Sequence, residues 1–287
     1  MENSIEIKGL TCRYSNFALE NLYLTVPNGT VMGLIGENGA GKSTTIKAIL
    51  GLIKPESGSV TVLGEDSTKL SAAVKEQIGV VFDTLPFPAV LTAKQLDKVL
   101  KGTFKSWDST EYYNYLERFC LPADKKLGSF SRGMQMRLSI AAALSHHPKL
   151  LVLDEPTGGL DPVMRAEILD LLMDFIQDES HSILISTHIT SDLEHIADYI
   201  GFIHKGHLVF SEERNALKEK HRVLKCTDEE LKRIDPADII GMRRGRFSNE
   251  VLTTAGDKYP DIAQDIPSID ELMVYYVKDA DEWRDVF

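Results

Sequence analysis

The sequence predicts an α/β fold built around a phosphate-binding loop. Residues 36–44 read Gly-Glu-Asn-Gly-Ala-Gly-Lys-Ser-Thr, between the apolar run Val31–Ile35 and a helix-like stretch at residues 44–52. A strand, a glycine-rich loop and a helix in this order form the context that such a motif requires. Two further apolar runs, at residues 150–153 and 183–185, are typical of buried parallel strands. We therefore expect a parallel sheet whose loops bind a polyphosphate.

The loop residues have distinct expected roles. Glycines at positions 36, 39 and 41 let the backbone turn and approach phosphates closely, so that N–H groups can point inward. Lys42 would reach the β- and γ-phosphates, the Ser43 hydroxyl would hold Mg²⁺, and the following helix would add the positive end of its dipole. The residues of this loop predicted to bind nucleotide are Asn38, Gly39, Ala40, Gly41, Lys42, Ser43 and Thr44.

Composition narrows the class of protein. A chain of 287 residues is long enough for one large domain plus an appendage. Its formal charge of −11 argues against a nucleic-acid-binding surface, which needs clustered Lys and Arg. The cysteines Cys12, Cys120 and Cys226 are far apart and indicate neither a zinc site nor a disulfide framework. With no signal-peptide pattern and no apolar stretch near ~20 residues, we expect a cytoplasmic chain that reaches a membrane only through a partner.

The first part of the chain is predicted to form an antiparallel sheet. Residues 5–35 alternate short β-type runs with turns, and residues 60–63 continue that character. From Thr92 the pattern changes to helices, because residues 92–95 and 108–111 both resemble capping boxes. We expect a helical insertion over residues 84–147.

Polar side chains follow the two later apolar runs. Asp154 and Glu155 end a buried strand, where an unpaired charge is costly, so a cation is expected nearby. Asp154 would share Mg²⁺ with Ser43, and Glu155 would orient and deprotonate an attacking water. His188 follows the neighbouring strand and can hydrogen-bond the γ-phosphate. A strand, helix and strand in this order imply a right-handed crossover, which places these groups where ligands bind in α/β sheets.

A further segment, Phe-Ser-Arg-Gly-Met-Gln at residues 130–135, precedes another predicted helix. With it, residues 5–210 resemble the ATP-binding subunit of an ABC transporter, a P-loop NTPase. The resemblance implies a Walker A loop at residues 36–44, a Walker B strand at 150–155 and a signature segment at 131–134. It also implies a D-loop at residues 159–161, a switch histidine at His188 and an adenine-stacking aromatic at Tyr14.

The resemblance implies a fold and an assembly. The expected architecture is a P-loop core with an antiparallel β subdomain and a helical subdomain in residues 1–210, and a small α+β accessory extension in residues 211–287. In such a protein, the signature of one subunit closes over the ATP that its partner holds. The residues implied for that contact are Ser131, Gly133, Met134 and Asp161. The partner subunit could be identical or different. A Ser and a Gly at a helix N-terminus can indeed bind an anion.

The sequence departs from the family pattern in two places, at Asp83 and within the signature segment. Asp83 stands where a Gln is usual; it could approach Mg²⁺, but it cannot donate a hydrogen bond as an amide does. It could instead only cap a loop. Arg132 and Met134 replace the usual Gly and Gln of the signature Ser-Gly-Gly-Gln, and we expect the ATP contacts of Ser131 and Gly133 to survive.

The predicted function is that of an ATPase that binds ATP and Mg²⁺ and drives a separate membrane permease from the inner face of the membrane. Its layout resembles bacterial exporters of drugs, antibiotic peptides and lantibiotics, so a peptide or drug-like cargo is expected. Two alternatives stay open: an ABC ATPase that works without a permease, and a regulatory subunit in which Asp83 slows turnover so that the chain senses ATP.

Overall fold

The computed structural model describes residues 3–245 and 248–277. The last residues of the predicted C-terminal extension, 278–287, lie outside the described residues. The strands in the described ranges are β1 (Asn3–Tyr14), β2 (Phe17–Pro27), β3 (Val31–Ile35), β4 (Ser57–Val62), β5 (Glu65–Asp66), β6 (Ile78–Val81), β7 (Leu150–Asp154), β8 (Ser182–Thr187), β9 (Tyr199–His204), β10 (His207–Glu213), β11 (Arg222–Cys226), β12 (Gly241–Arg244), β13 (Asn249–Thr253) and β14 (Ala263–Asp265). The α-helices there are α1 (Lys42–Ile49), α2 (Ala72–Lys75), α3 (Ala93–Thr103), α4 (Ser109–Arg118), α5 (Arg132–Leu144), α6 (Pro162–Ile176), α7 (Thr190–Ile196), α8 (Arg214–Lys220), α9 (Asp228–Leu231) and α10 (Ile269–Val277).

The predicted antiparallel sheet is present, with strand order β2-β1-β4-β5. In β2, Leu22, Leu24 and Val26 are buried while Tyr23 and Thr25 between them are exposed. This alternation is the pattern of a strand with one face in the core. The buried face packs on β3 and α1, which supports the loop between them.

The central sheet has six strands in the order β10-β9-β3-β8-β7-β6, and all pairs are parallel except β10 with β9. Every residue of β3, β7 and β8 is buried, as expected for strands covered on both faces. The register pairs Ile35 with Thr187 and Asp154 with Ser186. The carboxyl ends of three adjacent strands therefore meet at one edge of the sheet.

Between β6 and β7 lie the helices α3, α4 and α5 in the expected insertion. Thr92 and Gln95 form the predicted capping box. At α4 the box prediction is wrong in detail, because the Asp108 carboxylate alone caps the helix and accepts hydrogen bonds from the amides of Thr110 and Glu111. Asp is among the residues preferred at the N-cap of a helix, because its carboxylate accepts hydrogen bonds from the first backbone amides.

After β9 the chain forms a further strand before it becomes helical. Strand β10 continues to Glu213, and α8 begins only at Arg214. Antiparallel pairing of β10 with β9 extends the strand and delays the helix. Further along, Asp235 caps a short 3₁₀ turn at Pro236–Asp238, and β12 begins after it at Gly241.

A third, antiparallel sheet has the order β12-β13-β11-β14. Leu224, Met242 and Val251 belong to a small core of their own. On the other face, Val223 and Leu252 join α10 in the large core that also contains α6 and α7. The third sheet is thus attached to the central part of the molecule through α10.

A buried histidine connects the central part of the molecule to this attachment. His221 is fully buried; its Nδ1 lies 2.8 Å from the Leu217 carbonyl oxygen and its Nε2 lies 2.9 Å from the Tyr276 hydroxyl. A neutral ring satisfies both contacts, with Nδ1–H donating and Nε2 accepting. Burial lowers the pKa of His221 below its usual 6.5.

This lowered pKa predicts a loss of stability in acid. Below pH 6.5 the unfolded chain takes up a proton at His221 that the folded chain does not, so the free energy of unfolding decreases as the pH falls from there toward the folded pKa. In His221→Gln, that free energy should fall less between pH 7.5 and about pH 5.5, as measured by urea unfolding at each pH. Ser211→Ala, at an exposed position whose side chain does not titrate in this range, is the control and should retain the parental slope. Equal slopes in the parent and His221→Gln would contradict the assignment.

Candidate nucleotide-binding and hydrolysis site

The loop after β3 needs its glycines for steric reasons. A β-carbon added at Gly36, where φ is 156°, would lie 2.3 Å from the Ile203 carbonyl oxygen. At Gly41, where φ is 123°, it would lie 2.9 Å from a methyl carbon of Leu19. Gly41 also forms the N-cap of α1 with no side-chain hydrogen bond to the cap, so the first amides of that helix face the loop.

The loop forms one wall of a cleft with a volume of about 540 Å³, which is within the usual range for small-ligand sites. The residues that line it come from five segments: the β1–β2 hairpin, the loop and α1, and the ends of β6 and β7. They are Asn16, Phe17, Glu37, Asn38, Gly39, Gly41, Lys42, Ser43, Thr44, Asp83, Asp154 and Glu155. Of the loop residues predicted to bind nucleotide, Ala40 is buried and does not appear in this lining.

The Glu155 carboxylate lies between two predicted catalytic groups. Its Oε1 is 3.5 Å from Lys42 Nζ, and its Oε2 is 2.7 Å from His188 Nδ1. Lys42 is buried and also donates to the carbonyl oxygens of Gly36 and Glu37, at 2.7 and 3.3 Å. The structure thus brings Lys42, Glu155 and His188 together at the edge of the sheet.

The backbone at Glu155 is strained, with φ of 53° in the left-handed region. A non-glycine residue there costs about 1–3 kcal/mol and is found mainly where the surrounding structure imposes it. The neighbouring Asp154 is 7% exposed and accepts a short hydrogen bond from Ser186 Oγ. The register that pairs Asp154 with Ser186 supplies this bond.

A metal at this site needs ligands from outside the protein as well. Among the described residues, no group of three or more His, Cys, Asp or Glu side chains is placed to hold a cation alone. Ser43 and Asp154 both line the cleft, however, and hydroxyl and carboxylate oxygens are donors that suit Mg²⁺. The donor set therefore fits a magnesium ion that enters with a phosphate ligand.

Asp83 also lines the cleft, but its carboxylate has a partner that the sequence did not predict. Oδ1 of Asp83 lies 2.5 Å from Nη2 of Arg132, at the start of α5. The same guanidinium lies close to the backbone of Gly158 and Gly159. A β-carbon added at Gly158 would be 3.7 Å from it, and one added at Gly159 would be 3.3 Å from it. Because Asp83 and Arg132 are 49 residues apart, no local pattern indicates this pair.

The remaining predicted binding residues form a second group outside the cleft lining. Ser131 caps α5 and accepts from the Met134 amide at 3.3 Å. Asp161 caps α6 and accepts from the amides of Val163 and Met164, both at 3.1 Å. A β-carbon at Gly133 would lie 2.6 Å from the Met164 methyl group, so the starts of α5 and α6 are in contact. One chain thus has two separate groups of predicted binding residues.

Tyr14 is not brought to the cleft as predicted. It is 51% exposed and pairs with Phe17 across the β1–β2 hairpin, and it is Phe17 that lines the cleft. The ring of Phe17 comes within 3.1 Å of a β-carbon added at Gly41. Both aromatics lie beside the turn of the same hairpin, and the sequence pattern does not indicate that Phe17 is the one that faces the loop.

A further contact that the sequence did not indicate links the segment after Glu155 to the helix after His188. Thr157 Oγ1 donates to the buried Asp192 carboxylate at 2.7 Å. Asp192 lies on α7, which begins two residues after His188. This bond joins the segments that carry the predicted catalytic residues Glu155 and His188.

A second cavity, of about 600 Å³, adjoins this region. Its apolar residues lie at the end of α1, on β6 and at the end of α3, and include Leu50, Leu52, Ile78, Val80, Phe82 and Phe104. Leu52 is 61% exposed. Phe82 directly precedes Asp83, so this apolar groove runs up to the edge of the nucleotide cleft.

Comparison with known proteins identifies the family. The family model described as ABC transporter matches residues 19–158, and one for an AAA domain matches residues 126–191. The bacitracin transport ATP-binding protein BcrA of Bacillus licheniformis is 38% identical over 77% of this chain and 74% of its own length. The lantibiotic transport ATP-binding protein SrtF of Streptococcus pyogenes is 37% identical over 68% of this chain and 84% of its own length.

Solved structures agree with these relatives. The ATP-binding subunit of an ABC transporter superposes with a TM-score of 0.68 at 28% identity, over 75% of this chain and 91% of the other. A subunit of an ABC transporter complex from Clostridium perfringens superposes with a TM-score of 0.62 at 26% identity, over 74% and 89%. Among the described residues, no helix has the length and apolar character to cross a membrane. The chain therefore belongs to the ABC transporter ATP-binding proteins and is an ATPase of that family.

Proposed function

We propose that the chain binds MgATP in the cleft, pairs head to tail with a second ABC ATPase subunit around two MgATP, and drives a separate membrane permease. The observation that supports this most directly is the Glu155 carboxylate between Lys42 and His188. A carboxylate so placed can act as a base while its neighbours bind the charge that develops on phosphate.

Residues of the cleft have separate roles in the proposed hydrolysis of ATP. Lys42 now donates to two carbonyl oxygens of its loop, and a phosphate oxygen would replace them as its acceptor. Glu155 orients an attacking water and takes its proton, and His188 holds the carboxylate in position through the bond to Oε2. Ser43 and Asp154 would hold Mg²⁺, which neutralises phosphate charge and orients the leaving group.

The second group of residues would complete the site of a partner subunit. Ser131, Gly133, Met134 and Asp161 lie at the starts of α5 and α6, outside the cleft of their own chain. The positive end of the α5 dipole favours an anion at Ser131 and Gly133, whereas the Asp161 carboxylate accepts from the first amides of α6. In this proposal the four residues contact the nucleotide held by the other subunit, which is either a second copy of this chain or a different chain.

The proposed cargo is a peptide or drug-like compound that is exported. Support comes from the relatives named for bacitracin and lantibiotic transport. In this proposal the chain is cytoplasmic and is held at the inner face of the membrane by its permease. Residues 1–210 form the ATPase domain, with residues 84–147 as its helical subdomain, and residues 211–287 form an accessory extension.

The apolar groove is the proposed contact with the permease. A short amphipathic helix of the permease would fit a groove lined mainly by aliphatic and aromatic side chains, with Lys75 and Glu76 also in the lining. The groove ends at Phe82, next to Asp83, so a segment seated there would be in contact with the residues that line the nucleotide cleft. Nucleotide-dependent movement could pass to the membrane along this route.

Replacement of the base tests the proposed reaction. Glu155→Gln should still bind ATP but hydrolyse it at least about 100-fold more slowly, the range for loss of a general base. It should also form a stable dimer when ATP and Mg²⁺ are added, as measured by size-exclusion chromatography with light scattering. Lys42→Ala is the matched control and should lose nucleotide binding itself. Hydrolysis by Glu155→Gln at the parental rate would overturn the assignment.

A charge in the groove tests the contact with the permease. Leu52→Glu should reduce co-purification with a polytopic membrane protein encoded beside this chain by at least about tenfold, since a carboxylate would be buried without a partner. ATPase activity of the isolated chain should stay at the parental level. Val274→Glu, at a 43% exposed position on α10, is the control and should co-purify normally. Equal co-purification of both variants would exclude the groove.

Two aromatic substitutions identify the residue that stacks on adenine. Phe17→Ala should weaken ATP binding about tenfold, because one base–aromatic stack contributes on the order of 1–3 kcal/mol. Tyr14→Ala should change it less than about twofold, since Tyr14 lies outside the cleft lining. Tyr23→Ala, another exposed aromatic, controls for general effects on the sheet. The reverse ranking in a fluorescent-nucleotide titration would return the role to Tyr14.

A further inference from the structure

Arg132 connects three segments that are distant in sequence. It is the first residue of α5, its guanidinium pairs with Asp83 after β6, and the same group lies against Gly158 and Gly159 after β7. A β-carbon at Gly158 would lie in ordinary van der Waals contact with the guanidinium, at 3.7 Å, and one at Gly159 would lie slightly closer, at 3.3 Å. The guanidinium therefore lies between the Asp83 carboxylate and the backbone of the two glycines.

Each end of this connection belongs to a different binding surface. Asp83 lines the nucleotide cleft of its own chain, while Arg132 follows Ser131, the cap of α5 in the second group of binding residues. Both side chains are about half exposed, 57% for Arg132 and 46% for Asp83. An ion pair in such a position contributes little to overall stability, so its effect should be on local orientation.

We propose that Arg132 is a positioning residue that fixes the first turn of α5 relative to the nucleotide cleft through its ion pair with Asp83. The pair connects, within one chain, the surface that holds its own nucleotide to the surface that meets the nucleotide of its partner. This inference rests on the proposed function for the roles of the two surfaces. The contact itself does not depend on it.

Hydrogen exchange in the absence of nucleotide tests the contact directly. Arg132→Gln and Asp83→Asn should each speed amide exchange in the first turn of α5 and at Gly158 and Gly159, by about two- to fivefold, the range of exposed ion pairs. The double variant should exchange no faster than either single variant, because both remove the same interaction. Exchanging the charges, with Asp83→Arg and Arg132→Asp together, should restore part of the protection.

The chain offers a matched control. Arg233 and Asp261 form an ion pair of the same 2.5 Å length and similar exposure, 58% and 54%, near the third sheet. Arg233→Gln should leave exchange in α5 at the parental rate. Equal exchange in Arg132→Gln and the parent, or additive effects of the two single variants, would overturn the inference.

Dimerisation separates this inference from the proposed function. In the Glu155→Gln background, Arg132→Gln should weaken ATP-dependent dimerisation by about two- to fivefold, while monomer affinity for ATP changes less than about twofold. Arg132→Lys should recover part of the loss, since it keeps the charge without the planar group. Failure of Glu155→Gln itself to dimerise would refute the proposed function only. Normal dimerisation of the Arg132→Gln form would refute the role of Arg132 and leave the proposed function intact.

Discussion

The parallel alignment of β3, β7 and β8 is the constraint on which the site depends. Three adjacent strands that run in one direction must end at one edge. The glycine loop follows β3, and the predicted site residues Glu155 and His188 follow β7 and β8. Complete burial of these strands fixes their register, because a shift by one residue would turn a different set of side chains toward each neighbouring layer. The 2.7 Å contact between Glu155 and His188 follows from that register and not from proximity in sequence.

The cleft has an unusual balance of charge for a site that takes a polyphosphate. Among the described residues, its lining contains four carboxylates, those of Glu37, Asp83, Asp154 and Glu155. Their cationic partners there are the ammonium group of Lys42 and, for Asp83, the guanidinium of Arg132. Backbone amides at the start of α1 add only partial positive charge. A free polyanion is therefore poorly matched to the cleft, and a phosphate chain that carries a divalent cation is well matched.

The sequence predicted the elements whose signals are local. The glycine loop, the buried strands, the Thr92 capping box and the order of the motifs could be read within short windows, because backbone sterics and periodicity act at that range. Other features depend on tertiary contacts. The extension of β10 to Glu213 needs β9 as its partner, and the Asp83–Arg132 pair joins residues 49 positions apart. Phe17 rather than Tyr14 faces Gly41. The pairing of β1 with β2 contains register shifts, so the alternation of residues along the hairpin does not predict which aromatic side chain faces the cleft.

The attachment of α10 to α7 affects the order in which the molecule can be assembled during synthesis. The Ile269 amide donates to Glu194, 75 residues earlier, and Phe210 packs on Tyr276 with ring centres 5.4 Å apart. A ribosome therefore produces the whole central sheet before the segment that covers the outer side of α7 exists. Until residues 269–277 emerge, α7 lacks the packing that α10 supplies, although Leu193 of α7 can already pack against Gly33 of β3. Among the described residues, the contacts of α10 with Glu194 and Phe210 can therefore form only after every strand of the central sheet has been synthesised.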